Sequence, residues 1–493
     1  MIARIMAPQE SEPQEGWMGI GPSQRIPLGL VIVGVLLALL SPKLGEGVAA
    51  IGFIWLAFTS LPLALALYIL ASPFHYHISF GKHALYFSDI MALIMFAAFL
   101  WKYRKDSVEN AAKRLFPEAF RWPLVALLAF SVISLLHAVN HTETLVKIVE
   151  YVEFFVIIVG LAADNGLDLN RWKPVLGGLF FGATAIAVWG LIQFWLGIGP
   201  HSFVVDHLHT RAYVPFGQPN AFGGFMAMVF VMGLALFTVG PKDRSRPWLL
   251  LSLVILALSI FASYSRGAEV AAAAGVGAMV VVGGLTRSWN IAPRLAGFGY
   301  GLMAFGLLAI KYAGGISKGA VPKKVVHHYA VVGPIHRVKS IVSLNTFSTH
   351  QRILIWKGAL HAWDTHKLTG VGLGGFHYWV LQHHIAGVPG APPHAHDIYL
   401  ELLADLGIGG FLALVWWQWR WVTVALKAVQ GKFGELDPWV WAMALGAGGV
   451  ITDFGVHNTV DFLIDHGVIV PLLLAFGILG AIVAKSKAAP SDA

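Results

Sequence analysis

Two histidines separated by a single residue, His394 and His396, lie in a polar stretch just before a long apolar run. A neutral imidazole near pH 7 can act as a general base, and a His-X-His pair can also bind a metal ion. No third or fourth ligand follows at a suitable spacing, and the chain has no cysteine. The pattern therefore favours a general base and no metal site. A structural histidine that caps the following helix is the remaining alternative.

Three arginines form a second group of candidate functional residues. Arg266 falls between two apolar runs with almost no loop between them, Arg211 precedes a third apolar run, and Arg352 lies near the start of an amphipathic stretch. A charge held this close to hydrocarbon is costly and marks a functional site by default. Guanidinium groups bind phosphate bidentately and neutralise a leaving group, so we predict a diphosphate site. For Arg352, an ordinary interfacial arginine is the alternative.

The segment between Arg352 and His394 contains two further patterns. Apolar side chains recur at helical spacing in residues 351–364, which predicts a helix with one apolar face that lies on the membrane or packs on the spans; they are Ile353, Trp356, Leu360 and Trp363. A glycine-rich turn follows, at Gly370, Gly372, Gly374 and Gly375. It permits close approach of the backbone to a phosphate, or it simply turns a corner.

The composition indicates what holds these residues in place. The chain has 493 residues, of which 57% are hydrophobic and 12% charged. A soluble domain carries about 25% charged residues, so we predict an all-α, polytopic integral membrane protein. The net charge of +8 comes from basic residues in short loops, which indicates membrane topology and not a nucleic-acid partner. The polar N-terminus lacks the basic region and immediate apolar run of a cleavable signal.

About 20 helical residues cross the hydrocarbon, and the apolar runs that reach or approach this length predict about 12 to 14 transmembrane helices. The candidate spans are residues 27–40, 48–70, 87–101, 122–138, 144–162, 174–196, 221–239, 248–263, 267–284, 295–313, 407–427, 437–455 and 467–485. They divide the chain into a polar N-terminal segment (1–26), transmembrane helices with short loops (27–313), a long loop (314–406), C-terminal transmembrane helices (407–485) and a tail (486–493).

Basic residues cluster at alternate connections between these spans, and the positive-inside rule places those connections and the tail in the cytoplasm. Residues 197–220, 314–406 and 456–466 are then predicted to face outward, and they include the long loop with its histidines. The side of the N-terminus stays open, because it depends on whether the chain has twelve or thirteen spans.

Several acidic residues lie within or beside the predicted spans: Glu150, Glu153, Asp453 and Asp461. Lys147 lies one turn before Glu150, so a structural ion pair is expected there. The alternative is the ion pathway of a transporter. The chain has no evident internal repeat of the kind that many transporters contain, which favours the structural interpretation.

Taken in order, these motifs resemble the O-antigen ligase and polymerase superfamily of bacterial envelope enzymes. The resemblance extends over most of the chain and is carried by Ser265-Arg266-Gly267, residues 216–220, Arg352 with Trp356, residues 369–376 and residues 394–410. It implies an all-helical glycosyltransferase of the C type with a periplasmic active site in the bacterial inner membrane. Such enzymes transfer a glycan from undecaprenyl diphosphate to an acceptor sugar, with inversion and without nucleotide, metal or other cofactor.

The resemblance also implies roles for individual residues. His396 would be the catalytic base, with His394 as the substitute base. Arg211 and Arg352 would hold the diphosphate, and Arg266 would support that anion site. Asp397 stands where the family usually has Asn or Ser, which keeps a hydrogen-bond acceptor but adds a charge beside His396.

Four functions are compatible with these patterns. The first is a ligase whose acceptor is the lipid A-core, and the second is an O-antigen or exopolysaccharide polymerase that uses the same donor. The third is a membrane transporter, for which the long amphipathic loop has no obvious use. The fourth is a structural membrane protein, which leaves the three costly arginines unexplained.

Overall fold

The computed structural model describes residues 21–80, 83–205, 209–242, 244–286, 290–316, 347–388, 390–434 and 436–488. Over these residues the chain is almost entirely helical, with two short β-hairpins. The predicted all-α fold is therefore confirmed. Most of the predicted segment 1–26, residues 317–346 of the predicted long loop and residues 489–493 of the predicted tail lie outside the described residues.

The described residues of the first half of the chain form eight α-helices before the first long one. They are α1 (Pro22–Ala38), α2 (Pro42–Thr59), α3 (Leu61–Ala71), α4 (Phe87–Lys102), α5 (Val108–Leu115), α6 (Glu118–Ile133), α7 (His141–Val152) and α8 (Val159–Ala163), followed by α9 (Leu169–Leu196). A 3-10 turn at Ser134–His137 extends α6, and a π-helical segment at Glu153–Ile158 joins α7 to α8. Strands β1 (His77–Phe80) and β2 (His83–Tyr86) pair antiparallel, with His77 opposite Tyr86.

The second half begins with a 3-10 turn at His201–Phe203 and the antiparallel strands β3 (Val204–Val205) and β4 (His209–Thr210). The helices that follow are α10 (Pro219–Val239), α11 (Arg246–Ala262), α12 (Arg266–Thr286), α13 (Ala292–Ile316), α14 (Phe347–Thr365), α15 (Phe376–His383), α16 (Ile398–Val429), α17 (Pro438–His457) and α18 (Val470–Ala488).

Seven helices in the described part of the chain are long and apolar enough to cross a membrane. Shorter apolar stretches of 10–17 residues are found in α1, α3, α11 and α18. Two predicted spans are not continuous. Residues 48–70 break between α2 and α3, where Ser60 is extended; Pro62 then occupies the start of α3, because proline lacks an N–H and restricts the residue before it. Residues 144–162 pass through the π-helical segment.

Helix α10 is the most deeply buried of the seven, with 89% of its most apolar stretch inside the protein. It packs against α11, α12 and α17. A helix that is hydrophobic on all sides belongs in such a central position, because no face of it requires water or a polar partner. The ends of α10 and of its neighbours therefore define the two ends of the bundle.

The start of α16 and the end of α17 meet at one end of this bundle, where the Ile398 amide donates to the Asn458 carbonyl at 2.9 Å. The other ends of the same helices meet where the Trp441 indole donates to the Val429 carbonyl at 2.9 Å. Lys427 lies at this second end, in the last turn of α16. The histidine motif and Lys427 thus lie at opposite ends of the bundle.

Candidate functional site

The ring of His396 contacts a carboxylate from a distant part of the chain. His396 immediately precedes the Asp397 N-cap of α16 and has a left-handed backbone (φ 53°). Its Nδ1 lies 3.3 Å from Oδ1 of Asp461, which follows α17 in the loop to α18. A proton on Nδ1 satisfies this contact and leaves Nε2 as a proton acceptor, which is the tautomer that a general base requires.

Asp461 is buried, and its Oδ1 also accepts a hydrogen bond from the Phe462 amide at 3.0 Å. Burial opposes its ionisation, but the hydrogen bond from His396 and the neighbouring imidazoles hold the pKa of Asp461 well below its usual range. Asp461 is therefore a carboxylate that can orient His396 and stabilise its protonated form. Sequence reasoning grouped Asp461 with structural acids, and its position in a predicted outward loop was the only signal of a role at the site.

His394 lies next to His396, with ring centroids 4.3 Å apart, and stacks on Phe462. Its Nδ1 accepts a hydrogen bond from the His396 backbone amide at 3.3 Å. Burial, and then the neighbouring His396, lower the pKa of His394 to about 4. His394 is therefore a neutral imidazole near pH 7. Only His396 of the two has a hydrogen bond to a carboxylate in the described residues, which supports His396 over His394 as the base.

Asp397 caps α16. Its Oδ1 accepts hydrogen bonds from the amides of Tyr399 at 2.9 Å and Leu400 at 3.0 Å, an N-cap arrangement. The alternative in which a histidine caps this helix is therefore wrong. The carboxylate that stands where the family usually has Asn or Ser is engaged with the helix, and the carboxylate that contacts His396 is that of Asp461.

Two of the predicted anion-binding arginines belong to one substructure. Arg266 is the first residue of α12, only four positions after the end of α11, as the near-absence of a loop predicted. Arg211 donates from Nε to the Ser263 carbonyl at 2.8 Å and from Nη2 to Oδ1 of Asn220 at 2.9 Å. Arg211 thus fastens the turn before Arg266 to the start of α10.

The third arginine, Arg352, is half-buried near the start of α14. Its positive charge contributes to the lowered pKa of His394 and also acts on His457. In the parts of the chain that the structure describes, no carboxylate forms an ion pair with Arg352. Its guanidinium therefore adds an uncompensated positive charge beside the histidines, as an anion site requires.

A further histidine, His457, connects these groups. It ends α17, is fully buried, and neither ring nitrogen has a hydrogen-bond partner among the described residues. A Cβ added to Gly267 would lie 2.8 Å from its Cδ2, and one added to Gly224 would lie 2.9 Å from its Nδ1. The ring of His457 therefore fills the space between the starts of α10 and α12. Sequence reasoning did not single out this residue.

The glycine-rich turn is bound by the protein itself. The amide of Gly374 donates to Oδ2 of Asp405 at 2.7 Å, and the amide of Phe376 donates to Oδ1 of Asp405 at 2.9 Å. Gly370 and Gly372 have positive φ angles of 69° and 99°, which glycine adopts without strain. Because a carboxylate already accepts from these backbone amides, the turn does not cradle a phosphate. The alternative of a simple corner is the correct one.

The helix predicted over residues 351–364 is confirmed as part of α14. Its packed face differs from the predicted one, because Ile355, Ala359 and Ala362 are buried while Ile353 and Leu360 are 37% and 41% exposed. Small side chains on the packed face let α14 approach α15 and α16 closely. The exposed apolar residues are left on the outer face, where they suit contact with lipid and do not pack on the spans.

The fold supplies the third potential metal ligand that the sequence argument did not find. One ligand atom each of His394, His396 and Asp461 lies within 4.8 Å of the others. In the structure these groups are linked by the hydrogen bonds described above, which is the arrangement of an acid–base pair. The donor types would also suit a divalent transition metal. A metal-free site stays a prediction.

The predicted pair of Lys147 and Glu150 is confirmed, with Nζ 2.7 Å from Oε2. His466 joins this pair to the start of α4, since its Nε2 lies 2.9 Å from Oδ1 of Asp89 and its Nδ1 lies 3.4 Å from Oε1 of Glu150. Glu150 thus lies between Lys147 and His466, which supports a structural role.

A comparison with known protein families gives one match. Residues 251–415 match the family model Wzy_C, described as O-antigen ligase. The matched region contains Arg266, Arg352, His394 and His396, whereas Arg211 and Asp461 lie outside it. No curated protein matches the chain. Residues 251–415 of this multi-pass membrane protein are therefore similar to the O-antigen ligase family, which supports the resemblance to the O-antigen ligase and polymerase superfamily.

Proposed function

We propose that the protein transfers a glycan from undecaprenyl diphosphate to an acceptor sugar, as an O-antigen ligase whose acceptor is the lipid A-core. The observation that carries this proposal is the hydrogen-bonded pair of His396 and Asp461 at the end of the bundle opposite Lys427, together with Arg352, which has no ion-pair partner among the described residues. The positive-inside rule predicts that the end with Lys427 is cytoplasmic, which supports a site on the periplasmic face of the inner membrane.

In this mechanism His396 acts as the general base. Its Nε2 accepts the proton of an acceptor hydroxyl as that oxygen attacks the anomeric carbon of the donor sugar. The bond from the anomeric carbon to the diphosphate oxygen breaks, and the carrier diphosphate leaves. Attack from the face opposite the leaving group inverts the configuration. Asp461, 3.3 Å from Nδ1, stabilises the imidazolium that forms.

The arginines have different parts in this step. Arg352 and Arg266 neutralise charge that develops on the leaving diphosphate. Arg352 has no ion-pair partner among the described residues, and Arg266 lies at the start of α12. Arg211 donates two hydrogen bonds to the protein. It therefore acts mainly as a positioning residue that keeps Arg266 at the site.

The proposal is tested by the envelope glycan profile of a deletion strain, run beside an extract of its carrier-linked glycans. The strain is complemented with wild type or with His396→Ala at equal membrane abundance. Loss of the lipid A-attached ladder, with long polymer accumulating on the carrier, supports a ligase. Loss of long polymer with single repeats remaining indicates a polymerase instead. An unchanged profile contradicts both and favours transport.

A further inference from the structure

A cavity of about 300 Å³ lies beside His394, within the lower part of the range of small-ligand pockets. It is enclosed by α7, the glycine-rich turn, the starts of α15 and α16, and the loop between α17 and α18. His394 stacks on Phe462 at this wall, and the ring centroid of His396 lies 4.3 Å from that of His394. A molecule in the cavity would therefore contact His394, the immediate neighbour of the proposed base His396.

The wall of this cavity offers both hydrogen-bond donors and acceptors. The Tyr378 hydroxyl donates to Oε2 of Glu143 at 3.2 Å, which leaves Oε1 of that carboxylate for another donor. His377 uses its Nδ1 on the Pro392 carbonyl at 2.9 Å, so its Nε2 is left over. Phe462 adds an aromatic side chain to the lining, so the wall suits a ring that carries several hydroxyl groups.

The charges of the wall exclude the diphosphate. Glu143 and Asp465 contribute carboxylates, and Lys147, the only lysine or arginine among the described lining residues, is already paired with Glu150 at 2.7 Å. None of the three candidate arginines lines the cavity. A doubly charged anion would be repelled here, whereas a neutral sugar would gain hydrogen bonds.

We propose that this cavity binds a neutral sugar ring of the acceptor glycan, so that the acceptor approaches His396 from the carboxylate side and the carrier diphosphate from the arginine side. This inference rests on the proposed function, because it assigns one of the two substrates of that reaction to a defined subsite. It makes Glu143 and Tyr378 specificity-determining residues that act on the acceptor alone.

The test is a kinetic one with the purified full-length protein in nanodiscs. The donor is carrier-linked glycan and the acceptor is lipid A-core, both extracted from the source strain. Glu143→Gln and Tyr378→Phe are compared with Glu109→Gln, which alters an exposed i,i+4 ion pair on α5. We expect each cavity variant to raise the acceptor KM by roughly threefold to tenfold, the effect of one lost hydrogen bond, and to leave the donor KM unchanged. A raised donor KM would place the donor sugar in the cavity, and unchanged constants would remove the subsite; either result overturns the proposal.

A binding measurement separates this inference from the proposed function. Saturation-transfer difference NMR is recorded with the delipidated core oligosaccharide as the probe. Binding to wild type that the double variant of Glu143 and Tyr378 loses would support the glycan subsite, even if no transfer activity were found and the proposed function failed. Equal binding by wild type and the double variant, or no binding by wild type, would overturn the subsite while leaving an active transferase intact.

Discussion

The contact between His396 and Asp461 predicts a specific pattern of non-additive activity losses. Replacing a general base lowers the rate by roughly 100-fold to 10,000-fold, so His396→Ala should fall in this range. The 3.3 Å separation of Nδ1 and Oδ1 is longer than the roughly 2.7–2.9 Å of a strong charge-assisted hydrogen bond. Asp461→Asn should therefore lose energy near the lower end of the usual range, about 1.5–2 kcal/mol, or about 10-fold to 30-fold in rate.

Because Asp461 acts through the imidazole in this mechanism, removing it should have little further effect once the imidazole is gone. The double variant of His396 and Asp461 should be about as active as His396→Ala alone, which gives a coupling energy of about 1.5–2 kcal/mol. Rates are measured as transfer of radiolabelled donor glycan to acceptor by purified protein. Asp364→Asn is the matched control, since Asp364 is 68% exposed and pairs only with exposed Lys367.

Two results would refute this reasoning. If Asp461→Asn reduces the rate by the same factor with and without His396, the carboxylate does not act through that ring. If Asp461→Asn matches the control, the contact has no catalytic consequence. Insertion and folding are checked for every variant by size-exclusion profile, because Asp461 also accepts from the Phe462 amide.

Three other predictions follow from the same geometry. Arg352→Lys should lower transfer by roughly tenfold or more, because lysine keeps the charge but loses the bidentate fork; near-normal kinetics would show that this arginine only snorkels. Gly267→Ala places a Cβ 2.8 Å from Cδ2 of His457, and such overpacking costs about 1–3 kcal/mol of stability, so activity per folded protein should fall. Gly301→Ala, whose added Cβ would meet nothing within 4 Å, should be neutral in the same assay. Burial lowers the pKa of His394 to about 4. Between roughly pH 6.5 and 4 the unfolded chain therefore binds a proton that the folded chain does not, and the folded state loses up to about 3 kcal/mol of stability as pH falls. The melting temperature of wild type should decline more steeply over this window than that of His394→Asn, and parallel curves would contradict a buried neutral imidazole.

Some of these features could be predicted from sequence because their causes are local. Apolar runs must be helical in a membrane, since every backbone polar group needs an internal partner there. The predicted span 407–427 begins at Gly407, which is also the residue where α16 kinks. Its φ of 67° is one that glycine tolerates. The turn before Arg266 and the i,i+3 pair of Lys147 with Glu150 are likewise set by neighbours along the chain.

The composition of the site depended on contacts between distant residues. Asp461 lies 65 positions from His396. The periodicity of a helix does not indicate which distant loop will pack against the end of that helix. Asp405, 31 positions from Gly374, removed the phosphate interpretation of the glycine-rich turn for the same reason.

The membrane class and the helical fold could be predicted from the sequence, and the two histidines and three arginines could be singled out as candidates, because length, hydropathy and costly charges are properties of single segments. The contacts of the folded chain were needed to show which histidine lies against a carboxylate, which backbone amides are already bound, and which residues line a cavity beside His394. These outcomes depend on how the helix ends pack together, and that packing results from all the buried side chains at once.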